Sequence, residues 1–158
     1  MEFKTNVMRA LDKAKIAYRA YDYTHTEAVS GADVAAALGQ DPKRVFKTLV
    51  TIAKSRKNYV FVVPVEAELD LKKAAASVDE KAVAMIKSKE LLPTTGYVHG
   101  GCSPIGMKKP FVTRLDASAA AFETIVFSAG KIGYQVELRL EDLNKIVPFA
   151  LADLVASA

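Results

Sequence analysis

Two runs of β-branched and aromatic residues, 45–53 and 58–65, flank the polar tetrapeptide Lys54-Ser55-Arg56-Lys57. Such side chains suit a pleated surface, and a short polar break between two runs turns the chain back on itself. An antiparallel hairpin at the heart of a sheet is therefore predicted. The rest of the chain supplies cover for it. Val7, Met8, Leu11, Ala14 and Ile16 recur at near-helical spacing, with Thr5 or Asn6 as cap, so residues 4–17 read as an amphipathic helix. Residues 18–23 read as strand, and Ser30 precedes an Ala-rich helix over 32–38 that Gly39 ends. Asp41-Pro42 looks like the cap and first residue of a short turn. Asp70 can cap a helix through Ala76, and short helices are expected over 79–84 and 87–92. Strands are expected over 111–115, 124–127 and 134–139, with a last helix over 141–146. Helices and strands mix without regular βαβ alternation. The expected class is α+β, with a mixed, mostly antiparallel, curved or barrel-like sheet surrounded by helices.

Nothing divides the chain, so residues 1–158 read as a single domain. Of its residues 51% are apolar, enough for a real core, and 8 glycines and 6 prolines exclude collagen-like and low-complexity classes. One cysteine can form neither an internal disulfide nor a cysteine-based zinc site, and a reducing cytoplasm suits it. Residues 1–6 lack the features of a secretory signal, so export is not expected. The longest apolar stretch, 59–65 with Pro64 inside it, is far short of the roughly 20 residues that span a bilayer, and no membrane partner is expected. A net charge of +4 is a mild tilt. Basic clusters at Lys43-Arg44, Lys54 to Lys57, Lys72-Lys73 and Lys108-Lys109 read as a solvated surface or as a phosphate-facing one.

Three places could carry chemistry. In Gly96-Tyr97-Val98-His99-Gly100-Gly101-Cys102-Ser103-Pro104-Ile105-Gly106, adjacent glycines permit close approach of a ligand, and their N–H groups can form an anion-binding concavity. Met107 stands where a Walker A loop needs lysine, and the bland alternative is a tight turn stiffened by Pro104. Cys102 near His99 raises a nucleophile, but sequence proximity is not geometry, and a lone cysteine is more often a small buried apolar residue. A second loop, Ser128-Ala129-Gly130-Lys131-Ile132-Gly133, lies between two strands, where a simple hairpin turn competes with a polar ligand site. Lys47 sits among apolar strand residues, so its ammonium either snorkels to water or faces an anion in a pocket. His25 and His99 are isolated, and Glu66, Glu68 and Asp70 read as a solvated loop ending in a helix cap. No metal site is expected.

Taken together, Val45-Phe46-Lys47-Thr48-Leu49, Leu69-Asp70-Leu71-Lys72-Lys73, Thr95-Gly96-Tyr97 with Gly100 to Gly106, and Ser128-Ala129-Gly130-Lys131 resemble the YbaK/EbsC family of bacterial aminoacyl-tRNA deacylases. The resemblance runs from about Thr5 to Phe149. It implies a fold shared with the editing domain of some prolyl-tRNA synthetases. The implied activity is removal of cysteine mischarged onto tRNA(Pro) in the cytoplasm, without a cofactor. It also implies that the substrate's own thiol attacks the ester, giving a cyclic thiolactone and free tRNA.

On this resemblance Lys47, Gly100, Gly101 and Ser128 are the expected catalytic residues. Tyr23, Thr48, Ser103, Gly130 and Gln135 are expected to bind substrate. Lys43, Arg44, Lys108 and Lys131 are candidates for tRNA contact. Prolyl-tRNA synthetase is an expected partner and DNA is not. Two departures bear on specificity, because Gln135 stands where some members carry Asp, and Ser30 where some carry a bulky aromatic. The competing readings are water-mediated hydrolysis of another small mischarged amino acid such as alanine, and an RNA- or nucleotide-binding module without turnover.

Overall fold

The computed structural model describes residues 3–28 and 30–157, so Met1 and Glu2, where the reading of the amino terminus begins, lie outside it. Capping residues start the helices where the sequence places them. The Thr5 hydroxyl accepts the Met8 amide at 3.2 Å and opens α1 (Asn6–Lys13). Lys15 then takes φ 59°, so the helix stops short of the expected 17. Ser30 caps α2 (Gly31–Leu38), which Gly39 closes in the left-handed region, and Asp70 caps α3 (Leu71–Ser77) by accepting the Lys72 and Lys73 amides. The remaining helices are α4 (Ser88–Thr95) and α5 (Leu140–Ile146), with a 3-10 turn at Ala117–Ala121. Among the described residues no helix is long and apolar enough to cross a membrane.

The expected hairpin is β2 (Phe46–Ala53) against β3 (Asn58–Pro64), with Lys47 opposite Val63 and Val50 opposite Val60. Both its faces are buried, which is why the runs are apolar almost throughout rather than alternating. Phe46, Val50, Val60 and Val62 enter one core with α1 and the glycine loop. Leu49, Ala53, Tyr59, Phe61 and Val63 enter a second with Ala74, Ala75 and Leu154. The five-stranded sheet runs β4 (Val83–Met85), β2, β3, β5 (Val112–Asp116), β8 (Phe149–Ala152), the last two contacts being parallel. A three-stranded antiparallel sheet runs β1 (Arg19–Asp22), β7 (Tyr134–Arg139), β6 (Thr124–Ser128).

The two sheets meet at one parallel bridge, Val45 to Val126, where the Val126 amide donates to the Arg44 carbonyl at 3.0 Å. Val45, Val126, Val65 and Ala35 of α2 fill the seam. The sheets do not close into a barrel. The helix expected over 79–84 is also corrected. Asp79 takes φ 57°, and the Glu80 carboxylate accepts from Ser55 and Tyr59 at the hairpin turn. That contact lays Val83–Met85 along the open edge of β2 as a strand. Strand β8 was not anticipated, because a four-residue segment gains its structure only from pairing with β5.

Candidate functional site

The seam builds a row of side chains across both sheets. Two residues beyond the Val45–Val126 bridge stand Lys47 on β2 and Ser128 on β6. Ser128 pairs with Gln135 on β7, and Gln135 pairs with Tyr21 on β1. Successive side chains alternate across a strand, so Lys47, Ser128, Gln135 and Tyr21 share the face that Val45 and Val126 present toward α2. Thr48 belongs to the opposite face with Phe46, and its hydroxyl is buried without a hydrogen-bond partner.

The hairpin between β6 and β7 organises the loops around this row. The Ser128 hydroxyl accepts the Gly130 amide at 3.1 Å. Gly130 holds φ 88°, and a Cβ there would meet Asn6 Oδ1 at 2.7 Å, so α1 packs directly on the turn. On one side the Tyr23 amide donates to the Gly133 carbonyl at 2.8 Å, and Tyr23 is 5% exposed. On another the glycine loop rests on the turn: a Cβ at Gly101 would lie 3.2 Å from the Ile132 amide nitrogen, and one at Gly100 3.5 Å from the Ile132 side chain. The sequence could mark both loops as glycine-rich but could not show that they touch.

The interior of the glycine loop is held by Tyr97, whose hydroxyl accepts from Asn6 Nδ2 at 2.8 Å and donates to the Ile105 carbonyl. Gly101 donates its N–H to the Val98 carbonyl at 3.0 Å in a tight turn, so that donor is committed within the loop. Among the described residues, no acceptor meets the Gly100 N–H, which leaves it one of the loop donors open to a ligand. Ser103 is fully buried and accepts the Ile105 amide, which keeps its side chain inside the loop. Cys102 is buried, and burial pushes its thiol up to about 12, so at neutral pH it is an uncharged thiol and a poor nucleophile.

Burial draws the half-buried Lys47 ammonium below the usual lysine value, and the Glu68 carboxylate pulls it partly back. Among the described residues Lys47 makes no ion pair, and a cation with one exposed carboxylate nearby is poised for an incoming anion. Gln135 is 5% exposed and accepts from Gln40 Nε2 at 2.9 Å. Neither Gln40 nor the electrostatic partnership of Glu68 was legible beforehand, since Gln40 meets a residue 95 positions away.

The basic candidates divide. Lys43 and Lys131 are exposed, Lys131 lying over the Phe3 ring at 4.7 Å. Lys108 reaches back to the Pro93 carbonyl at 3.2 Å. Arg44 lies over the Phe122 ring with its guanidinium 3.9 Å from Glu137, so it serves the seam. A cleft of about 800 Å³ lies between α1 and β1, and Lys47, Ser128, Gln135 and Gly100 do not line it.

The aminoacyl-tRNA editing domain family matches residues 25–146. A protein of Enterococcus faecalis (strain ATCC 700802 / V583) named "Putative Cys-tRNA(Pro)/Cys-tRNA(Cys) deacylase EbsC" is 43% identical over 152 residues, 96% of this chain and 93% of that one. A solved structure described as a "putative trans-editing enzyme for prolyl tRNA synthetase" superposes with TM-score 0.84 at 22% identity, covering 96% of this chain and 95% of the other. A solved hypothetical protein superposes with TM-score 0.87 at 19% identity, covering 96% and 100%. At these identities the structural likeness is one of fold.

Proposed function

The chain belongs to the aminoacyl-tRNA editing domain family, and from that premise we propose that it is a trans-editing deacylase that removes cysteine from mischarged Cys-tRNA(Pro). The observation that carries the reading is the row Lys47, Ser128, Gln135 beside a glycine loop whose Gly100 N–H has no partner among the described residues. This set can hold and polarise an ester, and its one thiol is neutral and buried.

An aminoacyl ester is already activated, so the protein has mainly to orient it and stabilise the developing oxyanion. Lys47 draws in the phosphate-bearing 3′ end. The Gly100 N–H donates to the ester carbonyl oxygen, and Ser128 and Tyr23 position the ribose and the amino acid. Gly101 and Gly130 shape the turn that brings these groups together, and Thr48 and Ser103 stiffen the strand and loop behind them. The substrate thiol loses its proton and its sulfur attacks the carbonyl carbon. A C–S bond forms, the C–O bond to the ribose breaks, and the ribose oxygen takes up a proton. The products are a cyclic thiolactone and tRNA. Lys43, Lys108 and Lys131 meet the tRNA backbone, and prolyl-tRNA synthetase supplies tRNA identity that so small a chain does not read alone.

Loss of labelled cysteine from Cys-tRNA(Pro) tests this, with Ser-tRNA(Pro), Lys47→Ala and Cys102→Ala run in parallel. The expected result is rapid loss from the cysteine ester alone, dependent on Lys47 and indifferent to Cys102. Equal loss from the serine ester would replace thiol attack by water-mediated hydrolysis. Binding without loss of either amino acid would reduce the protein to an RNA-binding module.

A further inference from the structure

We infer that Gln40 is a binding residue of this site, and that with Gln135 it receives the α-ammonium of the aminoacyl group; the inference rests on the deacylase reading above. Gln40 follows the Gly39 cap of α2, and its own amide returns to the Ala35 carbonyl at 2.8 Å, so its backbone is fixed at the end of that helix. From there its side chain reaches Gln135, donating Nε2–H to Gln135 Oε1 at 2.9 Å. The other end of the Gln40 amide, Oε1, is buried without a hydrogen-bond partner. An acceptor stranded in this way costs roughly 1–3 kcal/mol, and the cost calls for a donor that arrives from outside the chain.

The position of the pair identifies that donor. Gln135 stands two strands from Lys47 along the row, roughly 10 Å at the usual spacing between strands. In an aminoacyl ester the α-ammonium lies beyond the carbonyl, on the side away from the ribose and its phosphate. A ligand whose phosphate end is drawn to Lys47 therefore carries its ammonium toward the glutamine pair and away from the like charge of the lysine. Gln135 Oε1 keeps a second lone pair for the same cation. The terminal torsion of a glutamine is soft, so Gln40 Oε1 can turn toward the arriving donor. The neighbouring carboxylate, Glu137, already receives Tyr21 and Thr124 and faces Arg44, which leaves Gln40 Oε1 and the second lone pair of Gln135 Oε1 open to a cation.

The test is calorimetric titration of the whole protein with the 5′-monophosphate of 3′-cysteinylamino-3′-deoxyadenosine, which carries the phosphate and cannot be deacylated, and with its N-acetyl derivative, which lacks the ammonium. Deacylation of Cys-tRNA(Pro) is measured separately. The wild type is expected to bind the free amine at least tenfold more tightly, Gln40→Met to lose that preference, and Gln40→Glu to restore it by offering an acceptor again. Folding of each variant is checked by its thermal melt. A preference that survives in Gln40→Met, or no preference in the wild type, overturns the inference. If Gln40→Met does not fold, the Gln40→Glu protein decides alone: its preference must be at least that of the wild type. Absence of deacylation alongside a preference for the free amine would sink the deacylase reading and leave ammonium recognition standing.

Discussion

At the residue scale, two side chains carry predictions that follow from their burial. Lys47 must be charged to hold an anion, and burial places its pKa below the usual 10.5. Affinity for uncharged tRNA(Pro) should fade as pH climbs toward 10.5, while Lys47→Arg, whose guanidinium stays protonated, should hold it across the same window. Stability runs the other way there: the folded protein sheds this proton first, so the Lys47 contribution to unfolding free energy rises with pH just below 10.5. Cys102 has the opposite sign. Its thiol is raised from 9.0 to about 12, so its contribution is complete below pH 9 and drains away between 9 and 12, as the unfolded chain ionises first. Cys102→Ala should flatten that part of a pH-dependent denaturation series and leave the deacylation rate unchanged. A rate drop of tenfold or more would restore the thiol as a nucleophile. The strand context of Lys47 and the resemblance to the family single it out in the sequence as a candidate. Gln40 is not singled out, because nothing in a Gly-Gln-Asp-Pro turn signals a partner on a distant strand.

At the element scale, the turn between β6 and β7 is where substitutions should separate stability from activity. Gly130→Ala forces a side chain into φ 88° and against Asn6 and Tyr97, so it should lower stability by about 1–3 kcal/mol, read as a falling melting temperature. Gly101 has ordinary φ, and its added Cβ would press at 3.2 Å on the Ile132 backbone. Gly101→Ala should therefore shift the glycine loop off the turn, costing catalysis more than tenfold with a smaller change in melting temperature. Equal losses of both in the two variants would mean that the loops are packed together for stability alone. Helix starts were readable because Thr5, Ser30 and Asp70 satisfy local amides. The 79–84 segment misled for the complementary reason: its strand is made by the edge of β2, which local propensity does not see.

At the scale of the whole molecule, the C-terminal segment closes the second core. Leu154 is fully buried against the hairpin and α3, and its amide donates to Asp116 Oδ1 at 3.0 Å. Leu154→Ala should cost about 2–5 kcal/mol in a urea titration, and a loss under 1 kcal/mol would show that the segment only decorates the sheet. Binding of tRNA should weaken steeply with salt, and Lys131→Ala or Lys43→Ala should each reduce the slope of log affinity against log salt by about 1. Arg44→Ala should instead lower stability, since its guanidinium packs on Phe122 beside Glu137. The sequence by itself determined the class of fold, the central hairpin and the caps, because these rest on side-chain periodicity and on hydrogen bonds that reach only a few residues. The tertiary structure decided which face Lys47 and Ser128 share, that Gly100 rather than Gly101 has a free N–H, and that Gln40 meets Gln135. The shared face depends on strand register across the Val45–Val126 seam and the glutamine pair on a contact 95 positions apart, which no local pattern encodes, whereas the Gly101 donor is taken up by the turn that the loop adopts in the folded chain.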